Sequence, residues 1–228
     1  MNNIGQRAAS IRQALPEGVE LVAVSKFQPQ EAIMEAYRDG QRAFGESRVS
    51  ELAEKAAALP EDIQWHFIGH VQTNKLRKLI GKTWLIESVD SERLLDLIDS
   101  ESSQAGIVTR VLLQVHIARE ETKYGFTPEE LLSYFRDRRY ERLKSTHLCG
   151  LMAMASNTDD SEQVRREFSA VASLRKEILA MRPDLRGFDT LSMGMSDDYP
   201  IAIEEGANSI RIGSKIFGER PYDNKSNI

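Results

Sequence analysis

The sequence predicts a (β/α)8 barrel, and three observations predict it. Short apolar runs alternate with helical stretches along the 228 residues, eight of each. Such alternation implies parallel strands joined by right-handed crossovers. No linker or low-complexity stretch interrupts the pattern, and no antiparallel hairpin signal appears in it. An open doubly wound sheet would also alternate, but eight repeats without a hairpin favour closure.

Each element has a local reason. Met1 to Ala14 is polar and helical in pattern, with Ile4, Ala8 and Ile11 on one face, so residues 1–15 are expected as an extra N-terminal helix. Leu21-Val22-Ala23-Val24-Ser25-Lys26 is a short buried-strand signal, and Pro29 then turns the chain towards a helix over Gln30 to Arg38, closed by Asp39-Gly40. Arg42 to Glu46 is the second strand, followed by a helix over Ser47 to Ala58 that Pro60 breaks. Ile63 to Gly69 and Thr83 to Val89 are the third and fourth strands, with a helix from about Thr73 to Ile80 between them; Ser91 caps the helix after the fourth. Arg110 to Ile117 is the fifth, and Thr127-Pro128 opens its helix as cap and first-turn proline. His147 to Met154 is the sixth, with a long amphipathic helix from Ser161 to Ala180 after it. Asp189 to Met195 and Ser209 to Ser214 are the seventh and eighth, separated by a short helix over Pro200 to Glu205. The whole chain, 1–228, is expected to be one domain, with Pro221 to Ile228 a frayed polar tail.

Composition excludes several classes. With 30 basic and 35 acidic side chains the net charge is −5, so no basic field for nucleic acid is present. No run approaches membrane-spanning length, and the N-terminus lacks the apolar core of a signal peptide. A single cysteine, Cys149, cannot form an internal disulfide and suits a reducing compartment. A cytoplasmic, monomeric protein without nucleic-acid or membrane partners is expected. His70, His116 and His147 show no metal-ligand spacing with carboxylates or with Cys149, so no metal site is expected; His66, between Trp65 and Phe67, reads as a hydrogen-bonded core histidine.

Strand ends of a barrel share one mouth, and there the chemistry collects. Lys26 places a primary amine at the end of an apolar strand. Ser192-Met193-Gly194-Met195-Ser196-Asp197-Asp198 and Arg211-Ile212-Gly213-Ser214 follow strands seven and eight, the habitual phosphate cradle of this fold. Either segment alone reads equally well as a plain turn. Together, with a lysine across the mouth, they suggest a phosphorylated ligand bearing a carbonyl. Pyridoxal 5′-phosphate (PLP) meets both needs, because its aldehyde forms a Schiff base with a lysine amine. Lys123, in Thr122-Lys123-Tyr124-Gly125, is the rival amine, but no apolar run immediately precedes it.

The pieces Ala23-Val24-Ser25-Lys26, Phe44-Gly45-Glu46, Trp65-His66-Phe67-Ile68-Gly69, Gln72-Thr73-Asn74-Lys75, Gly150-Leu151-Met152, Leu191 to Asp198 and Arg211 to Ser214 stand in one familiar order. Along essentially the whole chain they resemble the YggS/PROSC family of PLP-binding homeostasis proteins. The resemblance implies a barrel like the N-terminal domain of alanine racemase, with Lys26 as the PLP lysine. It also implies that Ser196, Gly213 and Ser214 hold the phosphate and that Arg211 faces the pyridine nitrogen. One position departs: the family usually has asparagine after Phe-Gly-Glu, where this chain has Ser47, a shorter side chain that would reach the cofactor only through water.

Three functions compete. The resemblance implies a non-enzymatic PLP carrier in vitamin B6 homeostasis, with PLP-dependent apoenzymes as recipients and no catalytic residue of its own. The alternatives are a PLP-dependent amino-acid racemase and a barrel that binds a phosphorylated metabolite without a Schiff base. Racemization needs an acid/base group on each face of the α-carbon, and in the racemase an added β-domain supplies one. The sequence after strand eight leaves no room for such a domain, and the carrier is the expected function.

Overall fold

The computed structural model describes residues 3–117 and 124–218. Its strands are β1 (Glu20–Val24), β2 (Ala43–Glu46), β3 (Gln64–Phe67), β4 (Leu85–Val89), β5 (Thr109–Val115), β6 (Thr146–Ala153), β7 (Thr190–Ser192) and β8 (Ser209–Ile212). They pair in chain order, all parallel, and β8 pairs back onto β1 to close the barrel. Val22 lies opposite Arg211 and Ala23 opposite Ile212 across that closing seam. The helices are α1 (Ile4–Ala14), α2 (Gln30–Arg38), α3 (Val49–Ala58), α4 (Glu92–Ala105), α5 (Pro128–Arg136), α6 (Ser161–Met181), α7 (Tyr199–Glu204) and α8 (Ser214–Phe217). The predicted (β/α)8 barrel with an extra N-terminal helix is the observed architecture.

The caps behave as their residues dictate. The Ser91 hydroxyl accepts from the Leu94 N–H at the start of α4. Thr127 and Glu130 form a reciprocal capping box around Pro128 at the start of α5. Elsewhere the sequence reading needs correction. Thr73–Lys78 is a 3₁₀ helix, not an α-helix. Its apolar anchors Leu76 and Leu79 are both buried and three residues apart, and in a 3₁₀ helix that spacing stacks side chains on one line. A second 3₁₀ turn, Arg139–Arg142, and the short helix α8 were not anticipated. β7 stops at Ser192 rather than Met195, because Gly194 turns the chain at φ 91 to pass against α7; a Cβ there would meet Ala202 and the Tyr199 backbone under 3.0 Å.

Two apolar layers result. The larger lies between the barrel and its helices, with Phe44, Phe67, Ile86, Phe135 and Phe168 fully buried. The smaller, Leu85, Leu112, Cys149 and Met152, has Met154 packed against it. Leu85 is two residues from Glu87 on β4, so it shares the strand face that carries Glu87. No helix of the described residues is long and apolar enough to cross a membrane.

Candidate functional site

A cavity of about 270 Å³ opens at the ends of β1, β7 and β8. Its lining includes Lys26, Ser47, Ser196, Arg211, Gly213 and Ser214, together with Val24, Ile68, Met154 and Met195. The residues singled out from the sequence are therefore brought to one place. Lys123 lies outside the described residues. A larger hollow of about 680 Å³ opens at His70, Asp90 and Tyr124, but its lining among the described residues has no lysine and neither of the glycine-serine segments. There His70 lies 3.2 Å from Asp90 and stacks on Tyr124 at 4.3 Å. We place the chemistry in the smaller cavity, where amine, cation and small-residue loops converge.

Lys26 does not end the strand, as its sequence suggested. β1 stops at Val24, and Lys26 stands in a tight turn closed by the Gln28 N–H donating to the Ser25 carbonyl at 3.0 Å. Phe27, next in that turn, has φ 65, a left-handed conformation costing a non-glycine residue about 1–3 kcal/mol. Its N–H donates to Glu51 Oε1 at 2.7 Å, and the Arg48 guanidinium lies 4.4 Å over its ring. Surrounding contacts thus hold Phe27 where its own torsions resist. Lys26 is half-buried in the cavity wall.

In the same wall as Lys26, the two small-residue loops are tied together. The Ser214 hydroxyl donates to Ser196 Oγ at 3.0 Å. Beneath them the Arg211 N–H donates to the Gly194 carbonyl at 3.0 Å, and the Met195 N–H to Asp198 Oδ1 at 2.5 Å. Gly213 is the informative residue. Its φ of −115 suits any side chain, and the nearest atoms to an added Cβ would be those of Val24, at 3.4 Å or more. Neither backbone nor packing demands glycine there, and the space it leaves lies on the cavity. That space, with two hydroxyls beside it and an amine in the same wall, fits a phosphorylated carbonyl ligand such as PLP. Ser47 is also in the wall, where Gly69 lets the end of β3 close in; a Cβ at Gly69 would lie 2.2 Å from the Ser47 carbonyl oxygen.

Arg211 comes from inside the barrel and is almost fully buried. It donates to the Ser192 hydroxyl oxygen and, at 2.8 Å, to the Ala153 carbonyl. Ser192 donates in turn to Glu87 Oε2 at 2.6 Å, and Glu87 Oε1 lies 2.6 Å from His66 Nδ1. Burial pulls Arg211 down from its ordinary range, against Glu87, which holds it up; a guanidinium so paired stays charged. Burial alone would raise the Glu87 carboxyl, but His66, Arg211 and Ser192 together bring it below its ordinary value. His66 is thus the hydrogen-bonded core histidine expected from its strand.

Sequence reasoning missed Glu87, Ser192 as a link, and Lys55 as the partner that joins Ser25 and Glu46. The signal for Glu87 and Glu46 was a carboxylate inside an apolar strand, since a fully buried charge needs a partner. Lys55 carried no signal, because next to Glu51 it reads as an ordinary surface i,i+4 pair.

Comparison with known proteins agrees with the fold. The family model described as "Alanine racemase, N-terminal domain" matches residues 1–221. The pyridoxal phosphate homeostasis protein of Schizosaccharomyces pombe is 37% identical over 228 residues, covering 98% of this chain and 91% of the relative. That of Aquifex aeolicus is 42% identical over 205 residues, covering 89% and 88%. Among solved structures, PipY of Synechococcus elongatus with PLP bound superposes with a TM-score of 0.87 at 37% identity, over 95% of this chain and 100% of that one. Alanine racemase of Clostridium difficile shares the fold alone, with a TM-score of 0.77 at 15% identity over 97% of this chain and 58% of the racemase. The chain belongs to the alanine racemase N-terminal domain family, among the relatives named pyridoxal phosphate homeostasis proteins.

Proposed function

We propose that the chain binds PLP in this cavity, with Lys26 as covalent anchor, and serves intracellular vitamin B6 homeostasis as a carrier without robust catalysis. The observation that carries the reading is the single cavity lined at once by the Lys26 amine and by Ser196, Gly213 and Ser214. When bound, PLP supplies an aldehyde with which a lysine amine condenses to a Schiff base, releasing water. The chain's own residues do the rest. Ser196 and Ser214 would offer hydroxyls to the phosphate, Gly213 would clear its approach, and charged Arg211 would face the ring nitrogen and keep it unprotonated. Met154 and Met195, also in the wall, would pack against the ligand, and Ser47 would reach it through water.

Robust catalysis would need more proton-handling groups than the described residues of this wall supply. Apart from Lys26 and Arg211, its one titratable side chain among the described residues is the exposed Asp197. Inversion at an α-carbon needs a second group opposed to the lysine. The shared name of the 37–42% identical relatives, and the PLP carried by PipY, support the same reading. PLP-dependent apoenzymes are the recipients it implies.

The test is direct. Purified protein loaded with PLP is reduced with borohydride and digested, and the adduct is mapped by mass spectrometry. A pyridoxyl group on Lys26, absent in Lys26→Ala, is expected. An adduct on Lys123 instead would sink the assignment, and no adduct at all would leave a non-covalent phosphate binder.

A further inference from the structure

Lys55 is a buried charge that the proposed function does not use. It sits on α3, 5% exposed, far too valuable a cation to bury idly, because moving an ammonium out of water is opposed by its lost hydration. All its donors are committed. Nζ donates to the Ser25 carbonyl at 2.9 Å, to Glu46 Oε1 at 2.8 Å and to Glu51 Oε1 at 2.7 Å.

The partners are what give this cluster meaning. Ser25 and Phe27 flank Lys26 in the chain. The Ser25 hydroxyl donates to Glu46 Oε1 at 2.6 Å, and its N–H to the Gly45 carbonyl at 3.0 Å. The same Glu51 oxygen that pairs with Lys55 accepts the Phe27 N–H at 2.7 Å. Lys55 therefore joins both sides of the turn that carries Lys26, one side through a carbonyl and the other through a carboxylate. Phe27 is held at φ 65, where a loosened turn would relax and swing its neighbour. Stability alone does not account for the arrangement, since buried ion pairs are often replaced by apolar residues at no loss of stability. Among the described residues Glu46 Oε2 is buried without a hydrogen-bond partner, so the cluster is not tuned for maximum stability either.

We propose that Lys55, with Glu46 and Glu51, is a positioning group that fixes the Ser25-Lys26-Phe27 turn so that the Lys26 amine reaches the carbonyl carbon of a ligand seated in the phosphate cradle. The inference rests on Lys26 being the covalent anchor. Lys55 touches neither ligand nor Lys26 in this role; it sets where the amine stands.

Two variants test it. Lys55→Met removes the cation at nearly constant length, and Glu51→Ala, at a partly exposed position, cuts the tie to Phe27 while leaving the Lys55–Glu46 pair. Each is compared with the native protein in two measurements. One is the rate at which PLP becomes borohydride-fixed on Lys26. The other is the affinity for pyridoxine 5′-phosphate, whose alcohol cannot condense with an amine. Both variants should form the Lys26 adduct at least tenfold more slowly, with pyridoxine phosphate affinity within about twofold of native. An unchanged adduct rate, or equal losses in both measurements, overturns the proposal; equal losses would mark a purely structural residue. Should Lys55→Met fail to fold, Glu51→Ala decides by the same criteria. If the native protein forms no Lys26 adduct, the proposed function itself falls, and this inference with it.

Discussion

Arg211 and Glu87 meet 3.5 Å apart inside the barrel, with the Ser192 hydroxyl bonded to both. One end of this link is in the wall of the candidate PLP cavity and the other is fully buried on β4 beside His66. The charge proposed to face the ring nitrogen is thus restrained from within the core. Breaking one partner of such a pair leaves the other uncompensated, and Glu87→Ala should cost about 3–5 kcal/mol of stability in urea unfolding.

The same pair predicts a pH dependence. The Glu87 carboxyl is held below its ordinary 4.5 in the folded protein. A carboxyl lowered on folding contributes stability that is present above its unfolded pKa and lost as pH falls through the folded one. The stability gap between native protein and Glu87→Gln should therefore be full at pH 6–7 and narrow below about 4.5. Parallel unfolding midpoints from neutral to acid pH would contradict the coupling.

Arg211 should govern the electronic state of bound PLP more than its affinity. Replacement by glutamate would set two carboxylates together at Glu87, so Arg211→Gln is the cleaner probe. It should shift the absorbance band of the PLP-loaded protein and speed α-proton exchange of added amino acids. A variant that binds PLP with an unaltered spectrum would show that Arg211 does not reach the nitrogen.

At the phosphate end, Ser196→Ala should weaken PLP binding by about 1.5–3 kcal/mol, the range for a hydrogen bond to a charged group. Gly213→Val should weaken it more, and Gly213→Ala should leave the fold intact, because the protein itself has room for a Cβ there. Equilibrium titration with PLP and with unphosphorylated pyridoxal checks both. Equal native affinity for the two ligands would rule out the cradle.

Turnover of L-alanine or L-serine to the D-form should match free PLP, far below the roughly 1–10³ s⁻¹ usual for enzymes. Holo-protein mixed with a PLP-dependent apoenzyme should instead restore that enzyme's activity. Racemization that survives purification and vanishes in Lys26→Ala would establish the racemase and displace the carrier.

What the sequence determined by itself is what local chemistry encodes. Runs such as Leu21 to Ala23 and Val111 to Leu113 are apolar on both faces because strands of a covered parallel sheet are buried on both. The caps at Ser91 and Thr127 follow from donors at the first turn of any helix, and α2 begins and ends at the residues read from the sequence. The strand-end rule then carried Lys26, Ser196, Arg211 and Gly213 to one mouth. Only the tertiary structure decided which polar residues stand between them. Ser192 and Glu87 are 105 residues apart in the chain, and no periodicity links a hydroxyl to a carboxylate over that distance. Lys55 reads locally as a surface lysine one turn from Glu51, and becomes a buried strut only when β2 brings Glu46 against it. Propensity and capping act within a few residues, whereas desolvating a charge depends on everything that packs around it. The barrel was therefore legible from its pattern, while the charges that hold the site in place were legible only once the barrel had closed.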